Sequence, residues 1–171
     1  MNPVTTYLVN NTIVFDERVR NWCKFPYPDH PKGCPNYGAI DRCPPQAPMV
    51  FDFIDMNMPI FFAVITFDLK THMERMIDIH PDWSGKQARC ILYWQNGVRK
   101  QLGQACNTFI SNKLLIYDLC PEAMGVNVFR TLHRIGIPIK KNPTETVYKV
   151  AIIGSPTNIT RRQTQLNLGE K

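Results

Sequence analysis

Four of the six cysteines in this 171-residue chain stand where they could do chemistry. Cys23, Cys34 and Cys43 fall in or beside one stretch, spaced Cys23-x10-Cys34-x8-Cys43, and Cys120 lies far along the chain. These spacings match neither the short knuckle of a zinc hairpin nor the compact ferredoxin run. The neighbours carry the signal instead. Cys34, Cys43 and Cys120 are each followed directly by proline, as is the last cysteine of the bacterial ferredoxin run. Proline removes an amide donor, stiffens the loop and shields the sulfur from water. The chemistry this pattern implies is thiolate ligation of a metal, most simply a [4Fe–4S] cluster. Cys23, Cys34 and Cys43 would bind it, with Cys120 either the fourth ligand or a nearby thiol. Three ligands would leave one iron open to an exogenous thiol, a sulfide or a substrate oxygen, acting as a Lewis acid or sulfur acceptor. Four thiolates closing around structural Zn2+ are the alternative. Cys90 and Cys106 read differently. On one helix they would point roughly 160° apart, so they cannot share an ion and read as small buried hydrophobes.

Two other residues are candidates for acid–base work. Glu122 follows Cys120-Pro121 at the start of a helix. It could act as a general acid or base beside the cluster, or simply satisfy first-turn backbone amides. His30 lies inside the cysteine loop and is the best non-cysteine ligand or proton donor. Asp29 and Asp41 in the same loop read as turn residues. Asp68 and His72 have an i, i+4 spacing that can bind a metal, though a solvated or capping pair has the same pattern. Gly33-x4-Gly38 is not followed by lysine, so it is no phosphate loop.

These residues need elements to position them. Seven of the fourteen prolines fall between Pro26 and Pro48, which predicts an irregular loop over about residues 15–50. So long an irregular segment is uncommon in a compact domain unless something holds it, and a metal would. Residues 59–69 form a continuous apolar run suited to a buried strand. Residues 69–79 predict a helix. Ser84, with Gln87 as a capping box, opens a second helix to about Ser111. Its buried stripe is Ile91, Trp94, Val98, Leu102, Ala105 and Phe109. A strand follows at 114–119, a helix at 122–135 with Gly136 as its stop, and a strand at 146–153. This alternation predicts an α/β fold with a mainly parallel sheet and flanking helices, in which Cys120 sits at the carboxyl end of a strand. The expected organisation is a single domain over 1–154 and a polar tail over 155–171.

Composition bounds the function. Hydrophobic residues at 44% and charged residues at 20% exclude a disordered chain, a coiled coil or a collagen. The longest apolar run, Ile60 to Phe67, is far short of the roughly 20 residues of a membrane span. The N-terminus lacks the basic-then-apolar pattern of a signal peptide. The expected compartment is therefore the cytoplasm, where cysteines serve as metal ligands or thiols rather than disulfides. The net charge of +6 is scattered in small pairs such as Arg18 and Arg20, Arg99 and Lys100, and Lys140 and Lys141. It allows a nucleic-acid partner without favouring one over a small-molecule substrate or a redox partner protein.

The segments CKFPYPDHPKGCPNYGAIDRCPP, FDLKTHMERMIDIHPDWSGKQARCILYWQNGVRKQL and CPEAMGVNVFRTLHRIGI, together spanning most of residues 15 to 140, resemble a family of predicted metal-binding proteins of unknown function. The resemblance implies a metal at Cys23, Cys34, Cys43 and Cys120 without naming a reaction. A looser likeness, at the level of the site alone, is to thiouracil desulfidases, whose three-cysteine [4Fe–4S] cluster leaves one iron free to take sulfur. The expected function is redox or sulfur-transfer, desulfidase-like chemistry at an open iron. A non-catalytic electron or metal carrier and a zinc-stabilised nucleic-acid-binding module are the alternatives.

Overall fold

The structure is a computed structural model that describes residues 2–26, 31–140 and 142–158. The chain runs through β1 (Val4–Leu8), a 3-10 helix at Glu17–Lys24, α1 (Val50–Phe53), β2 (Phe61–Asp68), α2 (Leu69–Ile79) and α3 (Gly85–Ala88). After a 3-10 turn at Ile91–Tyr93 come α4 (Gln95–Ile110) and β3 (Ile116–Asp118). A 3-10 helix at Pro121–Met124, α5 (Val128–Arg134) and β4 (Thr146–Gly154) complete it.

The four strands form one sheet in the order β1-β2-β4-β3, and every neighbouring pair is antiparallel. This corrects the expectation of a mainly parallel sheet. The strand–helix alternation is present, and β2 and β3 do run in the same direction. β4, last in sequence, inserts between them and opposes both. Hydrophobic period identifies strands but says nothing of which strand lies beside which. β1 also escaped the sequence reading, because VTTYL is short and half polar.

The buried strands lack a polar face because both sides of the sheet are covered. Phe62, Val64, Val150 and Ile152 point to one side, where they meet Val50, Ile54, Met124, Val126, Val128 and Leu132. Ala63, Ile65, Ala151 and Ile153 point to the other, against Leu69, Trp94, Val98, Leu102 and Cys106. The period of two thus sorts each strand into two cores. Trp94, Val98 and Leu102 of the expected stripe are buried on the α4 side.

Two long helices expected from the sequence are each broken. Ser84 does form a capping box with Gln87, but the helix it opens ends at Ala88. The second breaks at Gly125, whose φ of +84° ends the 3-10 helix after Cys120. α5 then starts afresh, its N-cap Asn127 accepting from the Arg130 amide at 3.0 Å. After β4 the chain stays engaged for three residues. The Ser155 carbonyl accepts from the Asp55 amide at 2.8 Å, Pro156 bridges Ile54, and the Thr157 hydroxyl donates to the Asp52 carbonyl at 2.7 Å. Among the described residues no helix is long and apolar enough to cross a membrane.

Candidate metal centre

Among its described residues, the proline-rich loop between residue 25 and α1 has almost no regular structure, yet it is tied down by single bonds. The Cys34 amide donates to the Cys23 carbonyl at 2.7 Å. Gly33 permits that closure. Its φ is +86°, and a Cβ there would lie 2.5 Å from the Cys23 carbonyl oxygen and 2.8 Å from the Lys24 carbonyl carbon. Backbone atoms cannot move aside cheaply, so only glycine fits. Turn bonds continue through Cys43, whose amide donates to Ile40 at 2.8 Å and whose carbonyl accepts from Ala47 at 2.9 Å. The return leg is clamped by Arg20, which donates to the carbonyls of Pro45 at 2.9 Å and Ala47 at 2.8 Å.

Cys120 reaches the same region from the far side of the chain. It lies between the end of β3 and the 3-10 helix, and its amide donates to Asp118 Oδ1 at 2.6 Å. Pro121 behind it is buried, as is Pro44 behind Cys43, whereas Pro35 behind Cys34 is exposed. Two of the three Cys-Pro pairs therefore put proline against the protein body.

Electrostatics shows which groups share a neighbourhood. Burial pushes the Cys23 thiol up, and negative charge on Cys34, Cys43, Cys120 and Glu122 pushes it further the same way. Burial also raises Cys43, with Cys34 and Asp118 adding to the effect and Arg99 and Arg42 opposing it. Cys120 is raised by burial, opposed by Arg99 and Lys149 and reinforced by Glu122 and Asp118. Each of these thiols holds its proton more tightly than a free cysteine, and a bound cation would reverse that. The Glu122 carboxyl is raised by burial against the pull of Lys149. Lys149 is correspondingly lowered by burial, with Glu122 and Cys120 opposing.

The fold thus brings Cys34, Cys43, Cys120 and Glu122 within electrostatic reach of Cys23. His30 and Asp29 lie outside the described residues. Among the described residues, no three of His, Cys, Asp and Glu are close enough to form a ready-made metal cage. All six cysteines are free. The donor set is all thiol, which suits an iron–sulfur cluster or zinc and not a hard cation. Cys106 stands apart, fully buried and pushed up to about 11 by that burial; it is core, as expected, whereas Cys90 precedes the Ile91–Tyr93 turn, outside α4, and is only partly buried. Asp68 serves as the N-cap of α2, accepting from the Thr71 amide at 2.9 Å, while His72 is buried against Phe67. The two are not a metal pair.

Four residues in this neighbourhood escaped the sequence reading: Arg20, Arg99, Asp118 and Lys149. Lys149 did leave a signal. In TVYKVAII it occupies the same strand face as Val147, Ala151 and Ile153, so period two places a charge on an inward face. Arg20 and Asp118 act through backbone groups distant in sequence or in a turn, which no spacing rule reveals. Comparison with known protein families, characterised proteins and solved structures gives no match.

Proposed function

We propose that this chain is a cytoplasmic thiolate-ligated metal protein, in which Cys23, Cys34 and Cys43 hold a [4Fe–4S] cluster beside Cys120. The observation that supports this reading most is that Cys34, Cys43 and Cys120 all lie close enough to Cys23 to act on its thiol, although Cys23 and Cys120 are 97 positions apart. Such thiols would repel one another as thiolates and have no evident reason to share a neighbourhood without a cation. Since no cage is preformed, metal binding draws the loop toward Cys120, and its free energy doubles as loop-ordering free energy. A bound cluster with one open iron would supply redox or sulfur-transfer chemistry. Around it, Glu122 holds or moves a proton, Lys149 and Arg99 offset negative charge, and Asp118 aims Cys120 through its amide. The cytoplasm is the compartment in which these thiols stay reduced.

Anaerobic purification tests the reading. The protein should be brown, absorb near about 400 nm and carry iron, as cysteine-ligated clusters do. A colourless protein with one zinc would replace the cluster with the structural-zinc alternative. Cys120→Ser then assigns the fourth position. A cluster that survives leaves one iron open, and cluster loss makes Cys120 a ligand.

A further inference from the structure

β3 pairs only with residues 152–154 of β4, whereas β2 pairs along the whole of its other edge, from residue 146 to residue 153. Thr146 to Val150 therefore have no strand partner on the β3 side. Among the described residues they also make no backbone hydrogen bond outside the β2 ladder. This uncovered edge opens into a cavity of about 240 Å³ whose lining includes Cys120, Glu122, Lys149, Trp94 and Phe129. That space is below the roughly 300–1,000 Å³ of pockets for drug-sized ligands and suits one small metabolite.

The lining has a defined chemistry. Trp94 and Phe129 offer apolar lining, while Lys149, Glu122 and Cys120 are lining residues within electrostatic reach of one another. Lys149 and Glu122 form no salt bridge with each other. The Lys149 ammonium has no hydrogen-bond acceptor among the described residues, whereas Lys140, also in the lining, is paired with Glu145 at 3.8 Å. A half-buried ammonium without an acceptor calls for an anion. The Glu122 carboxylate and the unpaired carbonyls of β4 call for a donor on the same ligand. We propose that this cavity binds a small aromatic carboxylate that also carries an amine or hydroxyl. Its ring lies between Trp94 and Phe129, its carboxylate meets Lys149, and its donor meets Glu122 or the β4 edge. That the bound molecule is also the substrate rests on the metal reading, because only then is Cys120 at a reactive centre; the binding itself does not.

The test uses the full chain, metal-free and after loading with iron or zinc. Anthranilate is titrated by its own fluorescence, with benzoate and anthranilamide as controls that lack the donor and the charge. Anthranilate should bind saturably and at least about tenfold more tightly than anthranilamide, as a desolvated charge-assisted bond requires. Benzoate should be weaker than anthranilate. Lys149→Met should abolish the preference for the charged ligand, and Lys149→Arg should keep it. Equal binding of anthranilate and anthranilamide, no binding of either, or an unchanged preference in Lys149→Met would overturn the proposal. The ligand comparison on the unaltered chain decides the matter even if a variant fails to fold. Binding by a protein that never loads metal would leave the cavity standing and sink the metal reading; metal loading without binding would do the reverse.

Discussion

Replacing Gly33 by alanine should separate Cys23 from Cys34, and Gly38→Ala supplies the control. Both glycines have a positive φ, +86° and +74°. Forcing alanine into that region costs about 1–2 kcal/mol at either site. The surroundings differ. At Gly38 an added Cβ meets nothing within 4 Å, so the conformational cost is the whole cost. At Gly33 the Cβ would fall 2.5 Å from the Cys23 carbonyl oxygen, with Lys24 backbone atoms at 2.8 and 2.9 Å. The two chain segments must part, and the Cys34 amide loses the Cys23 carbonyl it holds at 2.7 Å. That bond is worth about 1 kcal/mol net. Gly33→Ala should therefore cost about 2–3 kcal/mol and exceed Gly38→Ala by at least about 1 kcal/mol. If loop ordering and metal binding are one process, that excess appears as an at least about fivefold greater loss of metal affinity. Competition against a chromophoric chelator measures it. Hydrogen exchange at the Cys34 amide in metal-free protein checks the geometry separately, and its protection should vanish only in Gly33→Ala. Equal metal affinity in the two variants, or a protected Cys34 amide in Gly33→Ala, would refute the reasoning.

Glu122→Gln should stabilise the metal-free protein at neutral pH and leave it unchanged below the ordinary carboxyl value of 4.5. Burial raises this carboxyl, so its ionisation costs stability as pH rises through the folded value; urea melts at both pH values would show a constant difference if this is wrong. His72 is 7% exposed, and its Nε2 has no hydrogen-bond partner among the described residues. Burial, with Arg75 adding to it, lowers its pKa, so stability should fall as pH drops below 6.5. His72→Leu should remove that acid-side slope and gain about 1–2 kcal/mol at neutral pH by deleting an unsatisfied buried nitrogen; an unchanged slope in thermal melts would contradict this. Asp118→Ala should free the Cys120 amide and weaken metal binding by about ten- to a hundredfold, the scale of other supporting contacts around metal ligands; unchanged affinity would show that Cys120 needs no such anchor. Iodoacetamide followed by mass spectrometry should leave Cys106 unmodified in the folded protein, because its thiol is buried and pushed up to about 11; labelling at the rate of Cys23 would show that the α4 core opens.

The strand segments after the first, the burial of Cys106 and the Ser84 capping box were all legible in the sequence. Each depends on residue type and local spacing, and local spacing is what a sequence records directly. The neighbour order of the strands was not legible. Whether β4 flanks β3 or slides between β2 and β3 depends on which faces must be covered, and Phe62 and Ala63 are equally apolar whichever strand lies beside them. The break at Gly125 was only half legible: a glycine inside a helical pattern weakens it, but the turn forms because Asn127 caps a new helix there. Arg20 and Lys149 had meaning only in three dimensions. Arg20 became a clamp because the proline loop returns across its guanidinium, and Lys149 became a cavity cation because β3 is too short to cover β4. The sequence by itself determined which residue types stood at which local spacing. The tertiary structure decided which of them share a neighbourhood, and left the β4 edge near Cys120 without a strand partner over residues 146–150.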